Sequence, residues 1–378
     1  MVICLLKCYR TFYQIGRSKF EVLGCTYPLT FCGRIRMHIE DLNKFETKIL
    51  RESTKTCIEL LKSHKISKAY YTKTISKKNG MERTLHCINN EHILYKLQGN
   101  LKRNFFDYIP LSSHAYGYVK GKSYYNYLEP HVDSDIFLKL DIKDFFDSIK
   151  ENKLREVLGY YVDDINVSDK LTLIDFIVKV VTLDGKLPQG AVTSPVLSNI
   201  LFRQLDIRIS RYCEKFGITY TRYVDDILFS STSFYLHKKI FVNGIKKILK
   251  SNDLYLNTNK IIKTKNEISL NGFVIGKEIR LSRKKTAFIS AIIYCYQHTN
   301  IKNVDNFIKE IKHHFKLTDS TEIDLFWLHN YLAGYRSFLL GLLPFDSVGV
   351  LPEHLNKGNK KLLYKINEIE KILDLLIL

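Results

Sequence analysis

Two adjacent aspartates, Asp225 and Asp226, have the clearest chemical potential in this chain. They lie in Tyr223-Val-Asp-Asp226, between two runs that are rich in β-branched and aromatic residues. Such runs predict a β-hairpin with the carboxylates at its tight turn, where Asp tolerates unusual backbone angles. Adjacent carboxylates repel each other, and a hard divalent cation such as Mg2+, which takes oxygen ligands, offsets that repulsion. The competing interpretation is an exposed acidic turn without a ligand.

A third carboxylate, Asp141, ends the apolar run Ile136-Phe-Leu-Lys-Leu-Asp141, which predicts a strand. We expect residues 142–149 to turn into a helix that continues through 153–158, with Asp144 as an N-cap in the simplest interpretation. If Asp141 lies beside the Asp225-Asp226 turn, three carboxylates can hold two Mg2+ ions about 3.5–4 Å apart. The backbone carbonyl of Ile142 could complete a metal shell. This arrangement suits in-line nucleotidyl transfer, in which positioning and electrostatics carry the catalysis.

A polymerase of this kind must also hold a nucleotide, and four side chains suit that task. Arg83 offers a forked donor set for a triphosphate, and Gln189 precedes Gly190, which permits close backbone approach. Phe146 would exclude a 2′-hydroxyl and so select deoxynucleotides, and Lys260 is a candidate acid for the pyrophosphate. The simpler alternatives are that Phe146 is an ordinary core residue and that Lys260 is an ordinary surface lysine.

Two basic segments predict contact with nucleic acid. Lys77 and Lys78 precede Asn79-Gly80, a strong hairpin turn signal. Lys120 and Lys122 lie in the glycine-containing loop 113–123, where interleaved tyrosines suit a nucleic-acid backbone. A solvated hairpin and a flexible connector are the respective alternatives.

Composition bounds the class of protein. The chain has 378 residues, 45% hydrophobic and 26% charged, so it is globular and long enough for two or three domains. Its formal net charge of +19 points to a polyanionic partner, nucleic acid before membrane. It shows neither a bilayer-spanning stretch nor a secretory h-region, so a cytoplasmic location is expected. Four of the eight cysteines cluster near the N-terminus: Cys4, Cys8, Cys25 and Cys32. A zinc site is one interpretation of this cluster.

Pattern changes along the chain predict three segments. Residues 1–36 lack clear periodicity and form an extension of uncertain structure. Residues 37–290 show both strand and helix patterns. Residues 291–378 form a helical C-terminal segment, in which the pattern from about residue 300 onward indicates helices alone. The last helix, 359–378, has a spacing similar to an a/d seam, which we expect to pack on its own domain rather than on a second copy.

Four stretches resemble the ordered motifs of reverse transcriptases. They are Leu138-Lys-Leu-Asp-Ile-Lys-Asp-Phe-Phe146, Leu187-Pro-Gln-Gly190, Ser194-Pro195 with Leu197-Ser-Asn199, and Tyr223-Val-Asp-Asp226. The resemblance implies an α+β right-hand polymerase fold with fingers, a palm with an antiparallel sheet, and a helical thumb. It also implies Asp141, Asp225 and Asp226 as metal ligands, together with the nucleotide roles of Arg83, Phe146 and Gln189.

Within that family the chain is similar to bacterial retron-type enzymes and to anti-phage defence reverse transcriptases. Tyr116-Gly-Tyr-Val-Lys-Gly-Lys-Ser123 resembles a retron stretch, and Asn126 with His131 resembles the retron Asn-Ala-x-x-His element at a spacing one residue longer. Leu270-Asn-Gly272 stands where retrons usually carry Val-Thr-Gly, and Gly272 is placed among the nucleic-acid-binding residues.

We therefore expect an RNA-directed DNA polymerase that uses two Mg2+ ions and dNTPs and acts against phage. Its partners would be a structured noncoding RNA, as template and primer, and the DNA product, without a membrane. An effector protein or a second copy of the chain would be a further partner. Two alternatives stay open: an RNA-binding scaffold or toxin regulator with a polymerase fold, and a template-independent polymerase, primed in one version from a protein hydroxyl.

Overall fold

A computed structural model describes residues 42–53, 55, 66–76, 82–162, 167–298, 304–314 and 324–377. The described residues divide into two compact units, one ending at Ile279 and the other beginning at Arg280. The predicted extension 1–36 with its four cysteines lies outside the described residues. Lys77, Lys78 and the Asn79-Gly80 turn lie outside them too.

The first unit mixes helices and strands. In chain order its elements are α1 (Leu42–Lys44, followed by a π-helical segment Phe45–Leu50), α2 (Ile66–Ala69), β1 (Tyr70–Ser76), β2 (Glu82–Ile88), α3 (Ile93–Asn104), α4 (Tyr124–Leu128), β3 (Ile136–Asp141), α5 (Glu151–Leu158), α6 (Val167–Val181), α7 (Ser194–Glu214), β4 (Thr219–Tyr223), β5 (Asp226–Ser231), α8 (Lys239–Lys250), β6 (Ile262–Lys265), β7 (Ile268–Leu270) and β8 (Phe273–Ile275). Strand β9 (Ile279–Leu281) contains the boundary between the units.

The central sheet is antiparallel, with the strand order β4-β5-β3-β6. Side chains alternate between its two faces, and the register places Asp141 directly opposite Asp226 on one of them. Phe229 lies on the other face, where its ring meets the edge of Phe241 of α8 at a centroid distance of 5.3 Å. Both rings are fully buried, and burial of each stabilises the fold by about 1.5–3 kcal/mol. Packing of this apolar face fixes the sheet. The two acids lie at one end of the opposite face, where Phe137 and Leu228 are buried further along the strands.

The hairpin predicted around Asn79-Gly80 has the expected strands. β1 and β2 pair antiparallel along their whole length, from Tyr70 opposite Ile88 to Ser76 opposite Glu82. The smaller hairpin of β7 and β8 pairs Leu270 with Phe273, so Asn271 and Gly272 form a two-residue turn.

The helix predicted to begin at Ile142 is wrong. Residues 143–148 form turns, Asp144 has a left-handed φ of 45°, and α5 begins only at Glu151. The backbone N–H of Ile142 donates to Asp225 (3.0 Å) and that of Lys143 donates to Tyr255 (2.8 Å). Because these donors bind neighbouring segments, the chain continues the sheet for one further residue before it turns.

The second unit is helical. Its elements are α9 (Arg283–His298), α10 (Val304–His314), α11 (Leu325–Leu340) and α12 (Lys357–Ile377). Ile366, Ile369 and Leu376 of α12 are buried in one cluster with Leu328 and Leu332 of α11, so the seam of the last helix packs on its own unit. Within the described residues, no helix has the length and apolarity needed to cross a bilayer.

Candidate active site

Three carboxylates meet at one end of the central sheet. Asp141 ends β3 and faces Asp226, the first residue of β5. Asp225 occupies the turn between β4 and β5, and its carbonyl accepts a hydrogen bond from Ile142 N–H at 3.0 Å. The structure thus brings together the three acids that the motifs single out, because antiparallel pairing aligns the end of one strand with the start of the other.

The turn itself differs from the prediction that aspartate adopts the unusual backbone angles. Tyr223 pairs with Asp226, so Val224 and Asp225 are the two loop residues. Val224 has a φ of 61°, whereas Asp225 is not in the left-handed region. A positive φ at the first loop residue alone is typical of a type II′ turn, which usually has glycine there. A β-branched residue in this conformation stores about 1–3 kcal/mol of strain.

Two lysines offset part of the charge of the three carboxylates. Lys260 Nζ donates to Oδ1 and Oδ2 of Asp141, both at 2.9 Å, and Lys139 Nζ lies 2.7 Å from Asp226 Oδ1. Burial of the carboxyl, and then the charge of Asp226, raise the pKa of Asp225. Burial also raises the pKa of Asp226, although Lys139 opposes this. Burial tends to lower the pKa of Lys260, but the hydrogen bond and charge of Asp141 outweigh it and raise that pKa.

The donor chemistry of this cluster fits hard divalent cations, because all its side-chain donors are carboxylate oxygens. Among the described side chains, no three acidic, imidazole or thiol groups already stand at metal-binding spacing. Two of the carboxylates, Asp226 and Asp141, are each paired with a lysine. Raised carboxyl pKa values in a partly buried cluster indicate charge that the protein alone does not fully neutralise.

Two of the predicted nucleotide-binding residues contact each other. Arg83 Nε donates to Gln189 Oε1 at 2.8 Å, and His86 N–H donates to the Gln189 carbonyl at 2.7 Å. Gly190 has a φ of 114°, and a Cβ there would lie 3.0 Å from the His86 carbonyl oxygen. The close approach that glycine permits is therefore to strand β2, and it joins the Gln189 loop to the β1–β2 hairpin.

The other predicted residues lie in varied surroundings. Phe146 is buried in the apolar core, with its ring 5.4 Å from that of Phe145. Lys120 is exposed, whereas Lys122 Nζ donates to the carbonyls of Ser113 (2.8 Å) and Ala115 (2.9 Å). Gly272 has a φ of 86° in the β7–β8 turn. Their roles toward nucleotide or nucleic acid stay predictions.

Four residues that the motif reasoning missed contact the acidic turn or the residues that hold it. Lys139 could have been found, since it lies two residues before Asp141 in a strand and must share its face. The buried pair of Arg222 with Asp206 could not, because nothing in the sequence aligns a helix residue with a strand residue. Gly117, which packs against Val224, had no signal beyond its place in a glycine-containing loop.

Comparison with known proteins gives consistent results. The sequence pattern of the family described as reverse transcriptase (RNA-dependent DNA polymerase) matches residues 75–275. The chain is 29% identical over 310 residues to the retron Ec86 reverse transcriptase of Escherichia coli, covering 80% of this chain and 82% of that protein. It is 26% identical over 315 residues to the retron Ec73 reverse transcriptase of Escherichia coli, covering 79% and 88%. A solved telomerase from Candida albicans with a fragment of telomeric RNA has a TM-score of 0.43 at 12% identity, covering 85% of this chain and 69% of that one.

The family match, with a mixed fold and an acidic antiparallel sheet, defines a right-hand nucleotidyltransferase. The chain belongs to the reverse transcriptase family and is an RNA-directed DNA polymerase of the bacterial retron type. The predicted right-hand polymerase fold and the predicted RNA-directed DNA polymerase activity are thereby confirmed.

Proposed function

We propose that this polymerase joins dNTPs to a primer at Asp141, Asp225 and Asp226 with two Mg2+ ions, copies a structured noncoding RNA, and serves in defence against phage. The register that sets Asp141 opposite Asp226, beside Asp225, is the observation that carries the metal assignment. Enzymes with this domain generally use divalent metal ions. The likeness to retron reverse transcriptases and the net charge of +19 support an RNA template. The defence role rests on the resemblance to anti-phage reverse transcriptases.

The chain's own residues would prepare the site in three ways. Lys139 and Lys260 orient the side chains of Asp226 and Asp141 and offset part of their charge. When bound, two Mg2+ ions would supply charge neutralisation at the primer 3′ oxygen and at the leaving pyrophosphate. Lys260, whose Nζ lies 2.9 Å from Asp141 Oδ1, would be the candidate acid for pyrophosphate.

Arg83 and Gln189 would receive the nucleotide. Within the described residues, Arg83 makes its hydrogen bond through Nε, which leaves the two terminal nitrogens for triphosphate oxygens. Gln189 holds Arg83 and is itself held by His86. A triphosphate bound there would join the β1–β2 hairpin to the loop that precedes α7.

The reaction can be tested on the protein purified with its bound RNA. Labelled dNTPs and Mg2+ are added, and the product is sequenced. A DNA complementary to the bound RNA is expected, and the variant Asp225→Asn/Asp226→Asn should bind the RNA but make no DNA. Synthesis by that variant would refute the metal assignment. A product unrelated to the RNA would favour template-independent synthesis, and no product from the native protein would favour a scaffold.

Sugar selection needs its own comparison. Phe146→Ala should admit ribonucleotides, whereas Phe145→Ala, which removes the neighbouring core ring, should leave sugar selectivity unchanged. Equal selectivity in both variants would remove Phe146 as the gate.

Plating phage on cells that carry the native gene or the double aspartate variant tests the defence role. That the chain binds an effector protein or a second copy of itself stays a prediction. Identifying the proteins that copurify with the chain, and measuring its oligomeric state, tests it.

A further inference from the structure

The catalytic turn adopts a conformation that its own residues disfavour. Val224 is β-branched, nearly buried and left-handed. Most of the other left-handed residues described in this unit are Gly, Asn or Asp, which suit that conformation. Arg51 and Tyr118 are left-handed as well, and among these residues Val224 alone is β-branched. Contacts from elsewhere in the fold must therefore hold Val224.

Arg222 supplies the first contact. Its side chain is completely buried, and Nε and Nη2 donate to the two carboxylate oxygens of Asp206 on α7, each at 2.9 Å. The remaining terminal nitrogen, Nη1, donates to the carbonyl of Val224 at 3.0 Å. The guanidinium lies 4.2 Å from the centre of the Phe202 ring. A buried guanidinium needs an acceptor for each N–H group, and here the acceptor of Nη1 is the strained residue of the turn.

Gly117 supplies the second contact. A Cβ on Gly117 would lie 2.5 Å from Val224 Cγ2 and 2.8 Å from Val224 N, distances that real side chains do not reach. Asn199 of α7 donates through Nδ2 to the Gly117 carbonyl at 2.8 Å. The adjoining backbone is tied to β4, because Tyr116 N–H donates to the Arg222 carbonyl at 2.9 Å. The loop that contains Gly117 is thus held in close contact with Val224.

Both contacts originate from one face of α7. Asn199, Phe202 and Asp206 are three and four residues apart, the spacing that stacks side chains on one face of a helix. All three are buried. The Leu197-Ser-Asn199 motif, which had no assigned task, thereby acquires one.

We propose that Arg222, held by Asp206, and Gly117, held by Asn199, are positioning residues that keep Val224 left-handed and so aim Asp225 and Asp226. The proposal rests on the proposed metal-dependent function of that turn. Arg222 is fully buried, with its guanidinium bound to Asp206 and to the Val224 carbonyl. The effect of Arg222 and Gly117 reaches the reaction through the direction of the two carboxylates, where a displacement of about 1 Å costs on the order of 10²-fold in rate.

Arg222→Lys is the first test. Lysine keeps the charge beside Asp206 but cannot make three separately directed hydrogen bonds. We expect kcat to fall on the order of 10²-fold and Mn2+ affinity, followed by the EPR signal of free Mn2+, to fall about 10–100-fold. KM for dNTP should not change. The matched control is Arg155→Lys, since Arg155 also binds two carboxylates, those of Glu151 and Asp175, away from the turn.

Gly117→Ala tests whether contacts from outside the turn fix the conformation of Val224, and it does so without disturbing a buried charge. The added methyl must displace Val224, so kcat and Mn2+ affinity should fall while Tm changes little. Adding Val224→Ala removes the atom at 2.5 Å and should restore part of both. Gly334→Ala is the control, because a Cβ there meets open space. If Arg222→Lys fails to fold, this pair alone decides the question.

Two results would overturn the proposal. One is a lowered Tm with native kcat and Mn2+ affinity in Arg222→Lys, which would make Arg222 a purely structural residue. The other is native activity in Gly117→Ala. The proposed function fails in a different way, by absent DNA synthesis or absent Mn2+ binding in the native protein.

Discussion

Two hairpins of the first unit close with two-residue turns, and they are built on opposite principles. Asn271-Gly272 has both residues left-handed, at 46° and 86°, which is the pattern and the composition of a type I′ turn. Val224-Asp225 has only its first residue left-handed, and that residue is a valine. The first turn is stable for local reasons. The second depends on a buried arginine, a glycine in another loop and a helix.

The difference shows where this polymerase accepts strain. A strained residue at a functional site persists only where its surroundings over-determine it, and Val224 is contacted from behind by Arg222 and from the side by Gly117. Such rigidity suits a turn that must present two carboxylates in a fixed direction. Four further measurements would break or sharpen this comparison, the one with the largest expected effect first.

Replacing the loop aspartate should separate activity from stability. In Asp225→Asn we expect synthesis to fall on the order of 10²–10³-fold or more, as for other groups that stabilise transition-state charge. Burial and the charge of Asp226 raise the pKa of Asp225, so its ionised form is disfavoured in the fold. The neutral amide should therefore raise Tm in EDTA. Calorimetry and primer extension measure the two effects, and a lowered Tm would contradict this account of the turn.

Removing the counter-charge of Asp226 should change the metal requirement. Lys139→Met takes away the ammonium group 2.7 Å from Asp226. We expect the Mg2+ concentration for half-maximal synthesis to fall by a factor on the order of 10, equivalent to about 1.4 kcal/mol. Tm in EDTA should also fall, because a partly buried carboxylate loses its partner. Lys179→Met, at an exposed helix position, is the control, and an unchanged Mg2+ requirement would show that Lys139 does not compete with the metal.

Acid should weaken the strained hairpin through His131. This histidine is fully buried, hydrogen-bonded to Thr221 of β4 and Ser230 of β5 at 2.7 Å each, and burial lowers its pKa to about 3. The unfolded state, with an ordinary pKa near 6.5, takes up the proton first, so stability is complete above that value and is lost as the pH falls toward 3. Between pH 7 and pH 5 the loss is about 2 kcal/mol.

Urea unfolding at the two pH values measures this loss, and His131→Gln should remove most of the difference. Hydrogen exchange adds a spatial test. Protection should decrease at low pH in β4 and β5 and much less in β7 and β8. A uniform decrease in both hairpins would place the acid sensitivity elsewhere.

The ordinary turn should respond in stability alone. Gly272→Ala puts a side chain on a residue with a φ of 86°, which costs about 1–2 kcal/mol, measurable by urea unfolding. The same substitution in Gly117 should act on kcat instead. If Gly272 also contacts nucleic acid, KM for the template–primer will rise in Gly272→Ala. An unchanged KM would remove Gly272 from the nucleic-acid-binding residues.

Much of the site follows from local patterns. The apolar run before Asp141 and the β-branched runs around Asp225 predict the strands, and antiparallel pairing then brings the acids together. The last helix, expected over residues 359–378, is found as Lys357–Ile377, because its periodicity is clear. The helix expected from Ile142 is not found there, since the backbone donors of Ile142 and Lys143 bind other segments.

By itself, the sequence determined the family, the three acidic residues and the strands that carry them, because motif order and side-chain alternation act over a few neighbouring residues. Only the tertiary structure decided that Val224 takes the left-handed angle and that Lys139, Arg222 and Gly117 support the turn. Those choices depend on atoms far apart in the chain. A buried ion pair or a steric contact between distant segments has no period that the sequence could display.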